Sequence, residues 1–435
     1  VGPLAIFAGI ALAAVLPSRT AAGEVPGPPE ADGGVEAGSV PHAESYARGP
    51  LIDAHPEACT SCSRACSSRH PLCVDVSRGT RGAVALETLA SADRAWDAIT
   101  VALGAPAPDG GLDGIWHIEL TDGVEGGGDA IMRERDLVSR FDRASSIGRI
   151  DRSLSPGCAL DLAVARAVAR GSQWRAAPAT DEASARAESE AIARLATPCA
   201  GADGDTDAFQ AHPERAVVDA VSAAYERGAS LFFGWLDRTF GAEPGALLIG
   251  LWALAPTRTP WNAGRWAAAP TGFDVLRQSL KNALWEGSTL DDVIVRFDVA
   301  RASMVPPARL AWRVPWPAQP RRLASPVPVA PTGASYVLVD RAAPATAKLR
   351  VEAEWEDYGR MRWVVVKLDA SGRTLAEVPI TSLDRTPHAS MTIESLESTD
   401  RVLIVGVNVG STERPFDPGD GEWEPHGWLL TVGAE

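Results

Sequence analysis

Past its first residues the chain has no apolar run long enough to cross a bilayer, which takes roughly 20 residues. A polytopic membrane protein is excluded on that count. Lysine is scarce: nearly all of the 41 basic residues are arginine, and 56 acidic residues bring the net charge to -15. A general phosphate-binding surface is not expected, because nucleic-acid affinity rests mostly on cationic neutralisation. Local catalytic motifs are missing as well. No two of the seven histidines (His42, His55, His70, His117, His212, His388 and His426) lie four residues apart. H-E-x-x-H, which sets two imidazoles on one helix face with a glutamate base between them, is therefore absent. G-x-S-x-G, a Walker loop and S-x-x-K are absent too. The glycines Gly123 and Gly126 to Gly128 lack the G-x-G-x-x-G spacing of a dinucleotide loop.

What remains is globular in composition, with 46% apolar and 22% charged residues over 435 positions. That length suits two or three domains. Residues 4–16 are an apolar run of signal-peptide length, broken by Pro17 and followed by Thr20, Ala21 and Ala22. A signal peptide over 1–22 is expected, and with it export to the periplasm, outer envelope or exterior. Membrane contact is expected only through that segment, if it stays uncleaved. Residues 23–58 are Pro/Gly-rich and too polar to offset their ordering entropy, as in a flexible linker.

Residues 59–81 form a Cys-rich segment with Cys59, Cys62, Cys66 and Cys73. Disulfides are the plain reading in an oxidising compartment, with three connectivities open. A metal site and free thiols are the alternatives, but C-x2-C-x3-C-x6-C fits neither a zinc ribbon nor the usual ferredoxin runs.

Helical spacing of Leu86, Leu89, Trp96, Ile99 and Leu103 predicts a helix over 82–104. Alternation predicts a strand over 115–120 and a shorter one over 146–150, with a Gly-rich loop between. Two helices follow, over 158–176 and from 181 to Pro198. The second takes Thr180 as N-cap and an exposed Glu190–Arg194 pair. In an antiparallel pair the outer ends meet, so Cys158 and Cys199 are expected to bridge. Packed helices are read over 217–240, 245–254, 273–284 and 290–302. Residues 306–331, rich in proline, read as a linker. Beyond them, β-rich runs separated by turns over 332–435 predict an antiparallel β-sandwich. The fold class is thus α+β, with a mainly helical central domain over 82–305.

Asp203, Asp205, Asp207 and Glu214 fall at EF-hand positions 1, 3, 5 and 12, which makes calcium possible. Against it, Ala208 stands where the sharp turn needs glycine, and a solvated acidic loop is the plainer reading. A second acidic turn, Asp417, Asp420, Glu422 and Glu424, is equally open. Seven of the 14 tryptophans lie between Trp235 and Trp316. They would either line a sugar platform or pack the core, and packing suits Trp235 and Trp252 within apolar helical runs.

The stretch 225–241, YERGASLFFGWLDRTFG, resembles the post-catalytic helix of secreted gluzincin-type metallopeptidases. FDVL at 273–276, LDD at 290–292 and FDVAR at 297–301 look like later helices of the same subdomain. PTGASY at 331–336 looks like the entry to the β-sandwich those enzymes often carry. The resemblance implies a helix supplying H-E-x-x-H and a following helix supplying a glutamate ligand. The corresponding helix here, 162–172, reads LAVARAVARGS, with neither histidine nor acid. The following helix holds Glu182, Glu188 and Glu190; Glu182, Glu188 and Tyr225 are the remaining catalytic candidates. Zinc is not expected, since a glutamate without two imidazoles cannot hold it tightly. The reading is an exported, metallopeptidase-like pseudoenzyme that binds an unidentified protein or glycan. The alternative is an active secreted peptidase or glycosidase with an unrecognised site.

Overall fold

The computed structural model describes residues 64–76, 82–135, 143–178, 180–197, 204–254, 261–262, 265–266, 272–281, 289–341, 348–357, 359–380, 386–410 and 424–435. The expected signal peptide and linker, Cys59, Cys62, Cys199, Asp203, Asp417, Asp420 and Glu422 lie outside these residues. Within them the chain is α+β, with several antiparallel strand pairs. No described helix is long and apolar enough to cross a membrane.

The first sheet is built from β1 (Arg64–Cys66), β2 (Leu72–Asp75), β3 (Trp116–Thr121), β4 (Gly128–Arg135) and β5 (Ala144–Asp151), in the order β1-β2-β3-β5-β4. β2, β3 and β5 run parallel, while β1 and β4 pair antiparallel at the two edges. Cys66 and Cys73 face each other across the β1–β2 pair and are joined in a disulfide. Between β2 and β3 lies α1 (Gly82–Trp96), which continues as a π-helical turn, Asp97–Ala102.

The expected Gly-rich loop is in part the strand β4. Gly128 opens that strand at a point where a Cβ would lie 2.0 Å from the carbonyl oxygen of Ala163. The glycine marks a strand pressed against a helix backbone. That helix is α2 (Cys158–Ala176), and its bounds are those expected from sequence. The middle of its buried face is small: Ala163, Val164, Ala165, Ala167, Val168 and Ala169. Short side chains let the sheet, α1 and the next helix, α3 (Glu182–Ala196), all approach it closely. α3 is capped by Asp181, whose side chain accepts from the Ser184 amide at 2.8 Å, so Thr180 is not the cap. Nor is Glu190 exposed: it is 1% accessible. Cys158 is disulfide-bonded, and no described cysteine is free.

The expected helix over 217–240 is two short ones, α5 (Ala223–Gly228) and α6 (Ser230–Phe240), after α4 (Gly204–Gln210). Ser222 caps α5 by accepting from the Tyr225 amide, which fixes the later start. α7 (Ala246–Leu254), the ribbon β6 (Trp261–Asn262) and β7 (Arg265–Trp266), α8 (Gly272–Lys281) and α9 (Leu290–Arg301) complete the helical part. α9 starts with a reciprocal capping box between Thr289 and Asp292. Phe232 packs edge-on to Phe297 and joins α6 to α9.

The remaining strands are β8 (Trp312–Pro315), β9 (Arg321–Ala324), β10 (Ala334–Asp340), β11 (Leu349–Trp355), β12 (Met361–Leu368), β13 (Thr374–Ile380), β14 (His388–Ile393), β15 (Arg401–Asn408) and β16 (Trp428–Ala434). They form two sheets, β13-β12-β15-β10-β8 and β14-β11-β16-β9. The Pro-rich strip is therefore no plain linker: β8 and β9 come from it and close an edge of each sheet. Edges are where proline is tolerated, because a missing N–H costs no ladder bond there. Val337, Val339, Val365 and Ile404 from one sheet share an apolar cluster with Val351, Leu430 and Val432 from the other. The opposite face of the β13-β12-β15-β10-β8 sheet, with Tyr336, Leu338, Val364, Val405 and Val407, belongs to the same cluster as the helices. The Tyr336 hydroxyl donates to the Asp298 carbonyl of α9 at 2.8 Å.

Candidate functional site

A cavity of about 70 Å³ lies between the edge strand β4 and the helices α2, α3 and α5. Its chemistry comes from charged side chains on small-residue elements. Arg166 and Arg170, four apart on α2, both line it and so share a helix face. α3 contributes Arg186, Ser189 and Glu190, β4 contributes Asp129, and α5 contributes Arg227. Gly228, next to Arg227, lets α5 touch α4: a Cβ there would sit 2.1 Å from the Asp205 carbonyl.

Arginines and carboxylates alternate through the cleft. Arg166 holds both oxygens of Glu190 through Nε and Nη2, gives Nη1 to the Gly126 carbonyl at 2.7 Å, and reaches Asp205 at 3.2 Å. Arg227 donates to both Asp205 oxygens, at 2.8 and 2.9 Å. Arg194 also reaches Glu190, at 2.7 Å. Arg186 donates to Glu226 at 2.7 Å and lies 3.0 Å from Glu182. Burial works against the charge on Arg186 and on Arg166, yet the surrounding carboxylates hold both guanidinium groups above their ordinary pKa. Bidentate arginine–carboxylate pairs of this kind fix geometry as well as charge.

Of the sequence candidates, Glu182 sits at the margin of this network, taking Arg170 at 2.6 Å. Glu188 points elsewhere: it is 3% accessible and accepts from the Trp252 indole N–H at 2.8 Å. Burial pushes its carboxyl up to about 8. Tyr225 is buried against Phe209, and its hydroxyl donates to the Ala216 carbonyl at 2.8 Å. Burial holds that phenol well above its usual range. Glu182, Glu188 and Tyr225 therefore do not converge on one point.

The acidic stretch read as a solvated loop, with calcium as the alternative, is in part a helix. Residues 204–210 are helix α4, which cannot wrap an ion as a loop does. Asp205 is taken by two arginines, Asp207 is exposed, and Glu214 pairs with His212 at 3.1 Å. Among the described residues no group of three His, Cys, Asp or Glu side chains could hold a metal. His117 and His212 do not line the cleft. His117 is buried on β3 with one ring nitrogen 3.0 Å from Asp75 and the other 3.0 Å from Asp113. The hydrogen bond to Asp75 raises its pKa, against its burial, with Asp113 adding to the rise. Trp252 is buried while Trp312 is 36% exposed, so these two do not belong to one exposed platform.

Sequence reasoning passed over Arg166, Arg170, Arg186, Arg227 and Asp129. The signal for the first two was present: arginines four apart within the run AVARAVAR at 163–170.

Compared with protein-family models, the chain matches none. Compared with curated proteins, it again matches none. Among solved structures, it is similar to the pre-peptidase C-terminal domain of collagenase from Bacillus anthracis, at 8% identity and a TM-score of 0.19, over 29% of this chain and 97% of that one. It is also similar to PliG from Aeromonas hydrophila, a periplasmic inhibitor of g-type lysozyme, at 12% identity and a TM-score of 0.17, over 29% of this chain and all of that one. Scores of this size do not place the fold.

Proposed function

We propose that the chain is an exported, metallopeptidase-like scaffold without a hydrolytic centre, working as a binding module at or outside the cell envelope. One observation carries this reading: Arg166 and Arg170 stand four apart on the cleft face of α2 and are ion-paired to Glu190 and Glu182 of α3. In the gluzincins that the sequence resembles, those two helices supply an imidazole pair and a glutamate to zinc. A guanidinium has no lone pair to offer a metal and repels a dication. These side chains therefore do not fit zinc, and no hydrolytic step is drawn through it.

Further support comes from the strands that follow the helices. The two C-terminal sheets with their shared apolar cluster suit a β-sandwich of the kind such peptidases carry. Export is supported by the Cys66–Cys73 disulfide and the disulfide-bonded Cys158, which persist in oxidising compartments. The partner is a protein or glycan.

Metal analysis of the purified chain, with a peptidase and glycosidase substrate panel, tests the reading. The expected result is less than a tenth of an equivalent of zinc (about the background of such measurements) and no hydrolysis. One tightly held zinc per chain, with peptidase activity lost on chelation, overturns it.

A further inference from the structure

The cleft contains guanidinium N–H groups that the ion-pair network does not use. Arg170 gives Nη1 to Gln173 at 2.7 Å and Nη2 to Glu182 at 2.6 Å. Its Nε has no hydrogen-bond partner, although the residue is only 2% accessible. A buried, unpaired donor on a charged group costs more than a neutral one. Asp129 Oδ1 lies 4.0 Å from that Nε. Arg186 repeats the arrangement from α3: its Nη2 lies 3.9 Å from Asp129 Oδ2. Both separations are too long for a hydrogen bond. Asp129 Oδ1 instead accepts from the Ala130 amide at 2.8 Å, at the start of β4. Asp129 therefore attracts two guanidinium groups at long range and hydrogen-bonds to neither.

We propose that this cleft takes a carboxylate monoanion, which receives the free N–H groups of Arg170 and Arg186 in place of Asp129. The planar fork of a guanidinium matches a carboxylate. A single charge is favoured by the surroundings. The lining residues and their partners are Arg166, Arg170, Arg186, Arg194 and Arg227 against Glu125, Asp129, Glu182, Glu190, Asp205 and Glu226. With acids already in excess, a dianion such as phosphate meets more repulsion than acetate does. The cavity of about 70 Å³ admits only a small group, so the ligand is a small carboxylic acid or the carboxylate end of a larger molecule. This inference rests on the binding-module reading.

The test titrates acetate, acetamide and inorganic phosphate into the full chain at matched ionic strength. It follows the arginine Nε–H resonances by NMR. Acetate is expected to give a saturable shift, acetamide none, and phosphate a weaker one. Asp129→Asn removes the internal competitor from a partly exposed position, so it should fold normally and bind acetate about fivefold more tightly. Arg186→Gln should weaken acetate binding about tenfold or more. No saturable acetate shift in either the native chain or Asp129→Asn overturns the inference. So does weaker acetate binding in Asp129→Asn, or tighter binding of phosphate than of acetate. A chain that binds acetate yet holds catalytic zinc would sink the pseudoenzyme reading alone. A zinc-free chain indifferent to acetate would sink this inference alone.

Discussion

The indole N–H of Trp252 on α7 donates to the Glu188 carboxyl on α3 at 2.8 Å, in a fully enclosed site. That bond ties together two helices far apart in sequence; burial lifts the carboxyl from the ordinary 4.5 to about 8, although the indole N–H pulls it the other way. Asp298 on α9 is in the same position: burial lifts it to about 8 as well, although Arg301 pulls the other way.

A raised carboxyl pKa favours the folded state below the ordinary value, and that stability is lost as pH climbs toward the folded value. For Glu188 the window runs from 4.5 to about 8. His117, also raised, loses its contribution in the same direction as pH passes its folded pKa. Urea denaturation should therefore show stability falling by a few kcal/mol as pH rises across that window. Glu188→Gln should flatten this dependence and be the more stable form at pH 8. A native chain whose stability rises steadily from pH 5 to pH 8 contradicts the assignment.

Removing one partner of an enclosed ion pair costs more than removing both. Arg166→Met takes the bidentate partner from Glu190, which is 1% accessible, and leaves it with Arg194 at 2.7 Å; the change should cost up to about 3–5 kcal/mol. The double change Arg166→Met with Glu190→Leu should cost less than Arg166→Met alone. Chemical denaturation of the three variants measures the coupling directly.

The Cys66–Cys73 bridge spans a separation of 7 residues at the sheet edge. Closing so short a loop restricts the unfolded chain only modestly, by about 2–3 kcal/mol. Changing both cysteines to alanine should lower the melting temperature by a matching amount while the far-ultraviolet circular dichroism stays unchanged.

A chain ending at residue 310 would expose the apolar surface that Tyr336, Leu338, Val364, Val405 and Val407 cover. Such a surface is an aggregation liability. Size-exclusion chromatography of residues 64–310 should show aggregates, where the full chain elutes as a discrete species. A monomeric, two-state fragment would mean that this contact contributes little.

Much of this architecture was legible before any coordinates. Residues 158–176 announced their helix through apolar spacing, and Ile118 and Leu120 announced β3 by alternation. β4 was not legible, because Gly128 reads as a turn residue until Ala163 is known to lie against it. β8 and β9 were hidden by the prolines in and around them, which signal a linker in sequence; Pro315 ends β8, an edge strand where proline is tolerated. Glu190 looked exposed as part of an i,i+4 pair; only the approach of Arg166 from α2 shows why it is enclosed. The cleft was the hardest part to see. Its charged residues come from four separate elements and a loop, and each alone resembles a solvated surface charge.

Gly128 has one more effect. With no side chain to hold the backbones apart, the edge strand lies against Ala163, and this contact sets how far Asp129 stands from the guanidinium groups opposite. An alanine at that position would act as a wedge, tilting the strand outward and lengthening both separations. The spacing that keeps Asp129 from closing on its own arginines is thus governed by a residue that carries no functional group.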